Sequence, residues 1–186
     1  MSNPIDDTQK PGVCMTRRAF LFGGSAAVVS TVLLPGLPGL DSKALAAEVA
    51  RYPRKLIGKL SALKLNSPHK FNYPDEYQNS NSLLFRLDAL AGGGIGPDQN
   101  IVAFNALCTH MGGSLEGPGA FSAPDQALGP CPLHQTSFDL TRHGMVIGGH
   151  ATESLPQVLL ELEGDDIYAV GMLGLIYGRF DNLNTG

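Results

Sequence analysis

Cys108-Thr109-His110-Met111-Gly112-Gly113 and Cys131-Pro132-Leu133-His134 are the two stretches on which the reading of this chain turns. Each places a thiol and an imidazole within a few residues of one another, and 20 residues, Met111 to Pro130, separate the pairs. One Cys-x-His is common in any sequence. Two such pairs, spaced by one and then two residues with Gly or Pro beside each, make a four-donor set. Thiolate sulfur and imidazole nitrogen suit zinc, copper and iron–sulfur centres alike. A zinc site of the two-Cys, two-His type is one reading, although its usual order groups two Cys and then two His. A lone disulfide with incidental histidines is a second. An iron–sulfur centre with mixed ligands is a third. Here each Cys carries its own His, so two loops each supply one soft and one borderline donor.

The flanking sequence reads as strands and turns. Ile101 to Leu107 is a short apolar run that follows the turn cluster Gly92-Gly93-Gly94-Ile95-Gly96-Pro97-Asp98, and Ser82 to Leu87 is another. Val158, Leu160 and Leu162 alternate with Leu159, Glu161 and Glu163, the period of a half-buried strand. Gly164-Asp165-Asp166 then predicts a turn and Ile167 to Met172 the returning strand of a hairpin. Arg54 to Leu65 alternates loosely and fits strand or helix, and Leu175-Ile176-Tyr177 is a last apolar stretch after Gly174. With no helical period sustained over three turns, the expectation is an all-β, mainly antiparallel domain with long functional loops.

Length and composition narrow the function. The 186 residues allow one domain with an appendage and leave no room for a large catalytic machine. Hydrophobic residues at 43% are enough for a packed core. With 13 basic and 17 acidic side chains there is no basic excess to hold nucleic acid. Three cysteines are too few for a disulfide framework. His69, His143 and His150 have no recognisable pairing and read as surface or loop residues.

Residues 1–46 look like an address. A polar start ends in Thr16-Arg17-Arg18-Ala19-Phe20-Leu21, an uncharged run reaches Leu40, and Ala44-x-Ala46 offers a cleavage site after Ala46. The paired arginines resemble a twin-arginine export signal, with Phe22 where that pattern usually has Lys. Pro35 and Pro38 break the run as a core helix. The expectation is a cleaved signal, a periplasmic domain over 47–186, and membrane contact only if the run is kept as an anchor. The twin-arginine resemblance also implies a passenger folded, often around a cofactor, before export.

Cys108-x-His110 and Cys131-x-x-His134 match the signature of Rieske [2Fe–2S] proteins. The resemblance implies an antiparallel β sandwich or barrel with a small cluster-binding subdomain, its loops lying within about 108–156. It implies one [2Fe–2S] cluster per chain, with Cys108 and Cys131 on one iron and His110 and His134 on the outer iron. Two ferric ions, two sulfides and two thiolates sum to zero charge, whereas four thiolates give a dianion. Mixed ligation therefore places such centres at about −150 to +300 mV, against about −400 mV for plant-type ferredoxins.

In Rieske proteins of cytochrome bc complexes the two loops read roughly C-T-H-L-G-C and C-P-C-H-G-S, and a disulfide ties them. Gly113 and Leu133 stand at those extra cysteine positions here. The loops must then be held by packing of Met111 and Leu133 and by backbone hydrogen bonds. Thr136 keeps the hydroxyl of the family's serine, while Phe138 lacks the phenol of its tyrosine, which implies a lower potential. Ala151 to Pro156 resembles the proline-containing loop that covers the third side of the cluster.

A narrower likeness covers about residues 70–180. Phe71-Asn72-Tyr73-Pro74-Asp75, Gly94-Ile95-Gly96-Pro97-Asp98, Cys108-Thr109-His110-Met111-Gly112 and Gly174-Leu175-Ile176-Tyr177-Gly178-Arg179 are similar to the small subunit of arsenite oxidase, whose close relative is the iodate reductase small subunit. That likeness implies an electron-transfer subunit with no substrate chemistry of its own. Its partners would be a large molybdopterin and iron–sulfur catalytic subunit and a soluble carrier, a cytochrome c or small copper protein. A quinol-oxidising bc-complex subunit is a weaker alternative, since it normally keeps the disulfide and an anchor. A ferredoxin of a ring-hydroxylating system would lack an export signal.

Overall fold

The computed structural model describes residues 51–183. The export signal expected over 1–46, its twin arginines and its cleavage site lie outside those residues. Ten strands form two antiparallel sheets: β1 (Lys55–Lys59), β2 (His69–Asn72), β3 (Asn81–Arg86), β4 (Ile101–Asn105), β5 (Phe121–Ser122), β6 (Ala127–Leu128), β7 (Ser137–Asp139), β8 (Met145–Gly148), β9 (Gln157–Glu163) and β10 (Asp166–Leu173). The larger sheet runs β1-β10-β9-β4-β3-β2 and the smaller β5-β6-β7-β8. The only helical elements among the described residues are single 3₁₀ turns at Leu60–Ala62 and Gln78–Ser80.

Strands β3 and β4 are buried on both faces, which explains their nearly continuous apolar sequence. Leu83, Phe85, Val102 and Phe104 point into one core cluster, which also contains Cys108, Cys131 and Phe138. Leu84, Ile101 and Ala103 point into a second, with Val158, Ile167 and Ala169. Burying side chains such as Phe85 and Phe104 contributes roughly 1.5–3 kcal/mol each. The β9–β10 hairpin turns at Gly164, whose φ of +61° is one that glycine adopts without strain. Glu161 and Glu163 on its exposed face both meet Arg54.

The two ends of the larger sheet approach one another and nearly close it into a barrel. Lys55 on β1 donates from Nζ to the Asn72 carbonyl on β2 at 3.0 Å. A Cβ on Gly58 of β1 would lie 3.4 Å from Leu84 Cδ2. The loosely alternating Arg54 to Leu65 thus becomes a strand followed by a 3₁₀ turn. Leu175-Ile176-Tyr177 pairs with neither sheet. It belongs to a strap whose Ile176 is buried and whose Leu175 and Tyr177 are exposed.

Arg179 fixes that strap. Its side chain is 2% exposed and grips Asp75 with both terminal nitrogens, at 2.8 and 2.9 Å. The same guanidinium donates to Asn79 Oδ1, Ser80 Oγ and the Asn182 carbonyl. Arg179 also holds the Asp75 carboxyl far below its ordinary value, at about 2, with burial opposing and Ser80 assisting.

Candidate metal centre

The two Cys-His stretches fold into loops with the same backbone recipe. In the first, after β4, Cys108 N–H donates to the Gly113 carbonyl at 2.9 Å and Gly112 N–H to the Cys108 carbonyl at 2.8 Å. In the second, between β6 and β7, Cys131 N–H donates to the Thr136 carbonyl at 2.7 Å and Gln135 N–H to the Cys131 carbonyl at 2.9 Å. Each loop thus closes between a cysteine and the fifth residue after it. The fourth residue takes a left-handed conformation, at φ +67° for Gly112 and +59° for Gln135. The pattern aims both cysteines inward and leaves the histidines on the rim.

Cys108 and Cys131 are buried free thiols, so the disulfide reading does not hold. His110 is half-buried and His134 exposed. Their rings meet edge-to-face with centroids 4.7 Å apart. Burial pushes the Cys108 thiol up; the His110 N–H opposes this, and a hydrogen bond donated by Cys108 to the neighbouring Cys131 adds to the rise. The Thr136 hydroxyl bonds the Cys108 sulfur, which favours the thiolate. The same oxygen accepts from His150 N–H at 3.1 Å and Ala151 N–H at 3.4 Å. Phe138 is wholly buried in the core that contains both cysteines.

These residues fit a metal cluster. His110 Nδ1 is buried and has no hydrogen-bond partner in the protein. A buried imidazole nitrogen without a partner is costly unless something else binds its lone pair. Beside it stand two buried sulfurs whose protons a metal would displace. Two sulfurs inside and two imidazoles at the rim make an asymmetric donor set. The donor types alone also suit zinc, although no three His, Cys, Asp or Glu among the described residues converge on a single metal ion.

Comparison with known proteins decides between the metals. Residues 56–159 match the Rieske [2Fe-2S] domain family. The chain belongs to the Rieske [2Fe–2S] family. Its cofactor is therefore a [2Fe–2S] cluster and its chemistry is electron transfer. Among curated proteins it is 59% identical to the iodate reductase subunit IdrB of Denitromonas iodatirespirans, over 91% of this chain and 87% of that protein. It is 55% identical to the iodate reductase subunit IdrB of Pseudomonas sp. (strain SCT), over 97% of this chain and 92% of that protein. Among solved structures, the soluble domain of Rieske protein II (soxF) from Sulfolobus acidocaldarius superposes with a TM-score of 0.57 at 23% identity. That match covers 71% of this chain and 84% of the other, and it bears out the all-β Rieske fold.

Several details of this Rieske site differ from the sequence expectations. Met111 and Leu133 are 54% and 53% exposed, so neither holds the loops by burial. Leu133 nevertheless reaches across the gap, since a Cβ on Gly113 would lie 3.1 Å from Leu133 Cδ1. A leucine–glycine contact stands at the two positions where the bc-complex pattern has its disulfide cysteines. Pro156 is buried, its carbonyl accepting from Asn105 N–H at 2.8 Å. The proline-containing loop instead touches the first cysteine loop at Glu153, whose carbonyl accepts from Thr109 Oγ1 at 2.8 Å.

Two histidines prove to have neighbours. His143 Nδ1 lies 2.7 Å from Gln157 Oε1, and Gln157 Nε2 donates to the Gly92 carbonyl. His150 stacks on His110, centroids 5.7 Å apart at 26°, and meets His134 edge-on at 6.1 Å. The signal for His150 was the preceding Gly148-Gly149. Gly149, at φ +90°, lies so close to Thr136 that a Cβ there would be 2.6 Å from its backbone nitrogen. That approach brings the next residue to the rim.

Proposed function

We propose that this chain is the electron-transfer subunit of an iodate-reductase-type oxidoreductase. It passes electrons between a soluble carrier, a cytochrome c or small copper protein, and a large molybdopterin and iron–sulfur catalytic subunit. The observation that carries this reading is the 59% identity to an iodate reductase subunit over nearly the full length of both proteins. The resemblance to arsenite oxidase rests on four short segments, and the longer match favours the iodate branch of that likeness. The twin-arginine-like stretch in residues 1–46 supports a periplasmic location.

When bound, the [2Fe–2S] cluster supplies a one-electron centre. Cys108 and Cys131 would hold one of its irons, and His110 and His134 the other. The cysteines lie where water is excluded, and the imidazoles reach the surface where a carrier docks. Thr136 donates to the Cys108 sulfur, Phe138 supplies packing and no donor, and Pro156 fixes the loop that closes over Thr109. No residue here acts as a general acid or base.

Copurification with the large subunit tests the assignment. The complex reduces iodate with a reduced dye or carrier, and Cys131→Ser abolishes turnover from the carrier. A complex that instead oxidises arsenite while reducing cytochrome c would return the chain to the arsenite-oxidase branch.

A further inference from the structure

The strap after β10 meets the first cysteine loop at one well-defined place. A Cβ on Gly112 would lie 2.5 Å from Tyr177 Cδ1 and 2.6 Å from Cε1, so that side of the aromatic ring lies close against the bare backbone of Gly112. Gly112 is the residue whose N–H closes the loop onto the Cys108 carbonyl and whose φ is +67°. A ring pressed on it opposes opening of that loop.

The strap that carries the ring is held on both sides of Tyr177. Before it, Asn182 Nδ2 donates to the Gly174 carbonyl at 2.8 Å and Asn182 Oδ1 accepts from Ile176 N–H at 2.9 Å. After it, Arg179 is buried on Asp75, Asn79 and Ser80. Ile176, fully buried, packs into the core of the larger sheet. A loop fixed this firmly can present a side chain with little further loss of entropy.

We propose that Tyr177 is a positioning residue for the first cysteine loop, its ring clamping Gly112 and holding that loop against the C-terminal strap. The inference rests on the reading that Cys108 and His110 hold the cluster. The clamp acts from the C-terminal segment, outside the two ligand loops and the proline-containing loop. Ring carbons Cδ1 and Cε1 make the contact, so phenylalanine serves as well as tyrosine.

The test uses the full chain with its cluster in place. Cluster release to an iron chelator is followed by loss of visible absorption, and global unfolding by far-ultraviolet circular dichroism. Tyr177→Ala releases iron at least about tenfold faster, with little change in the unfolding transition, because it removes a local packing contact. Tyr177→Phe releases iron at the wild-type rate. Gly112→Ala, whose methyl would strike the ring, also speeds release, and combining it with Tyr177→Ala gives less than the product of the two effects. A wild-type rate in Tyr177→Ala, a fast rate in Tyr177→Phe, or independent effects in the double variant would each overturn the clamp alone. Wild-type protein that holds no iron would overturn the ligand reading and the clamp with it.

Discussion

Thr136 shows how much one side chain does at this site. Its hydroxyl bonds the Cys108 sulfur and accepts the His150 N–H, so it links the second loop to the first loop and to the β8–β9 connection. A donor to a ligand sulfur favours the reduced, more negative cluster. Removing about 1 kcal/mol of that preference corresponds to a few tens of millivolts for one electron. Thr136→Val therefore lowers the potential by that order and Thr136→Ser leaves it nearly unchanged, as protein-film voltammetry would show. The four candidate donors and the hydroxyl stood out in the sequence because their chemistry is local and their spacing short. For His150 the sequence offers only the close backbone approach that Gly148-Gly149 marks, because its neighbours His110 and His134 lie on two other loops and only tertiary contact brings them together. His143 was missed likewise, its partner Gln157 being a residue type with no distinctive pattern.

At the scale of elements, paired loops and a pinned strap decide the stability of the site. Gly149 allows the β8–β9 connection to press on Thr136. Gly149→Ala meets both a left-handed φ and the Thr136 backbone, and costs about 2–4 kcal/mol in urea unfolding of the loaded protein. The strap answers to acid. Asp75 has a folded-state value of about 2, held there chiefly by Arg179. That value lies below the unfolded one of about 4, so the contribution is complete above about pH 4 and is lost as pH falls towards 2. It amounts to about 2 kcal/mol. Denaturation from pH 5 to 2 would show a drop of this size that is absent in Asp75→Asn. The strands were legible wherever alternation or a buried run marked them, as in β3, β4 and the β9–β10 hairpin. The strap was not, because Leu175-Ile176-Tyr177 has the composition of a strand, and only the Arg179 and Asn182 contacts show that it is a loop.

On the scale of the whole molecule, the two sheets hold the cysteine loops in one core while the rim histidines face out. The fold class and the cofactor followed from the order of donors, Cys-His then Cys-His. The substrate did not, because none of the motifs that stand out in the sequence is specific to one oxyanion. Removing the cluster should expose this dependence: chelated protein loses visible colour and its thermal midpoint falls by several degrees, since ligand binding energy adds to folding energy. The central claim is that Cys108, His110, Cys131 and His134 grip a diiron centre with nitrogen on one iron only. The most direct measurement is a pulsed electron paramagnetic resonance spectrum of the reduced protein grown with nitrogen-15 histidine. The account predicts strong couplings from two histidine nitrogens, one lost together with the native spectrum in His134→Cys. A reduced cluster without histidine coupling, or a diamagnetic protein carrying zinc, would contradict it.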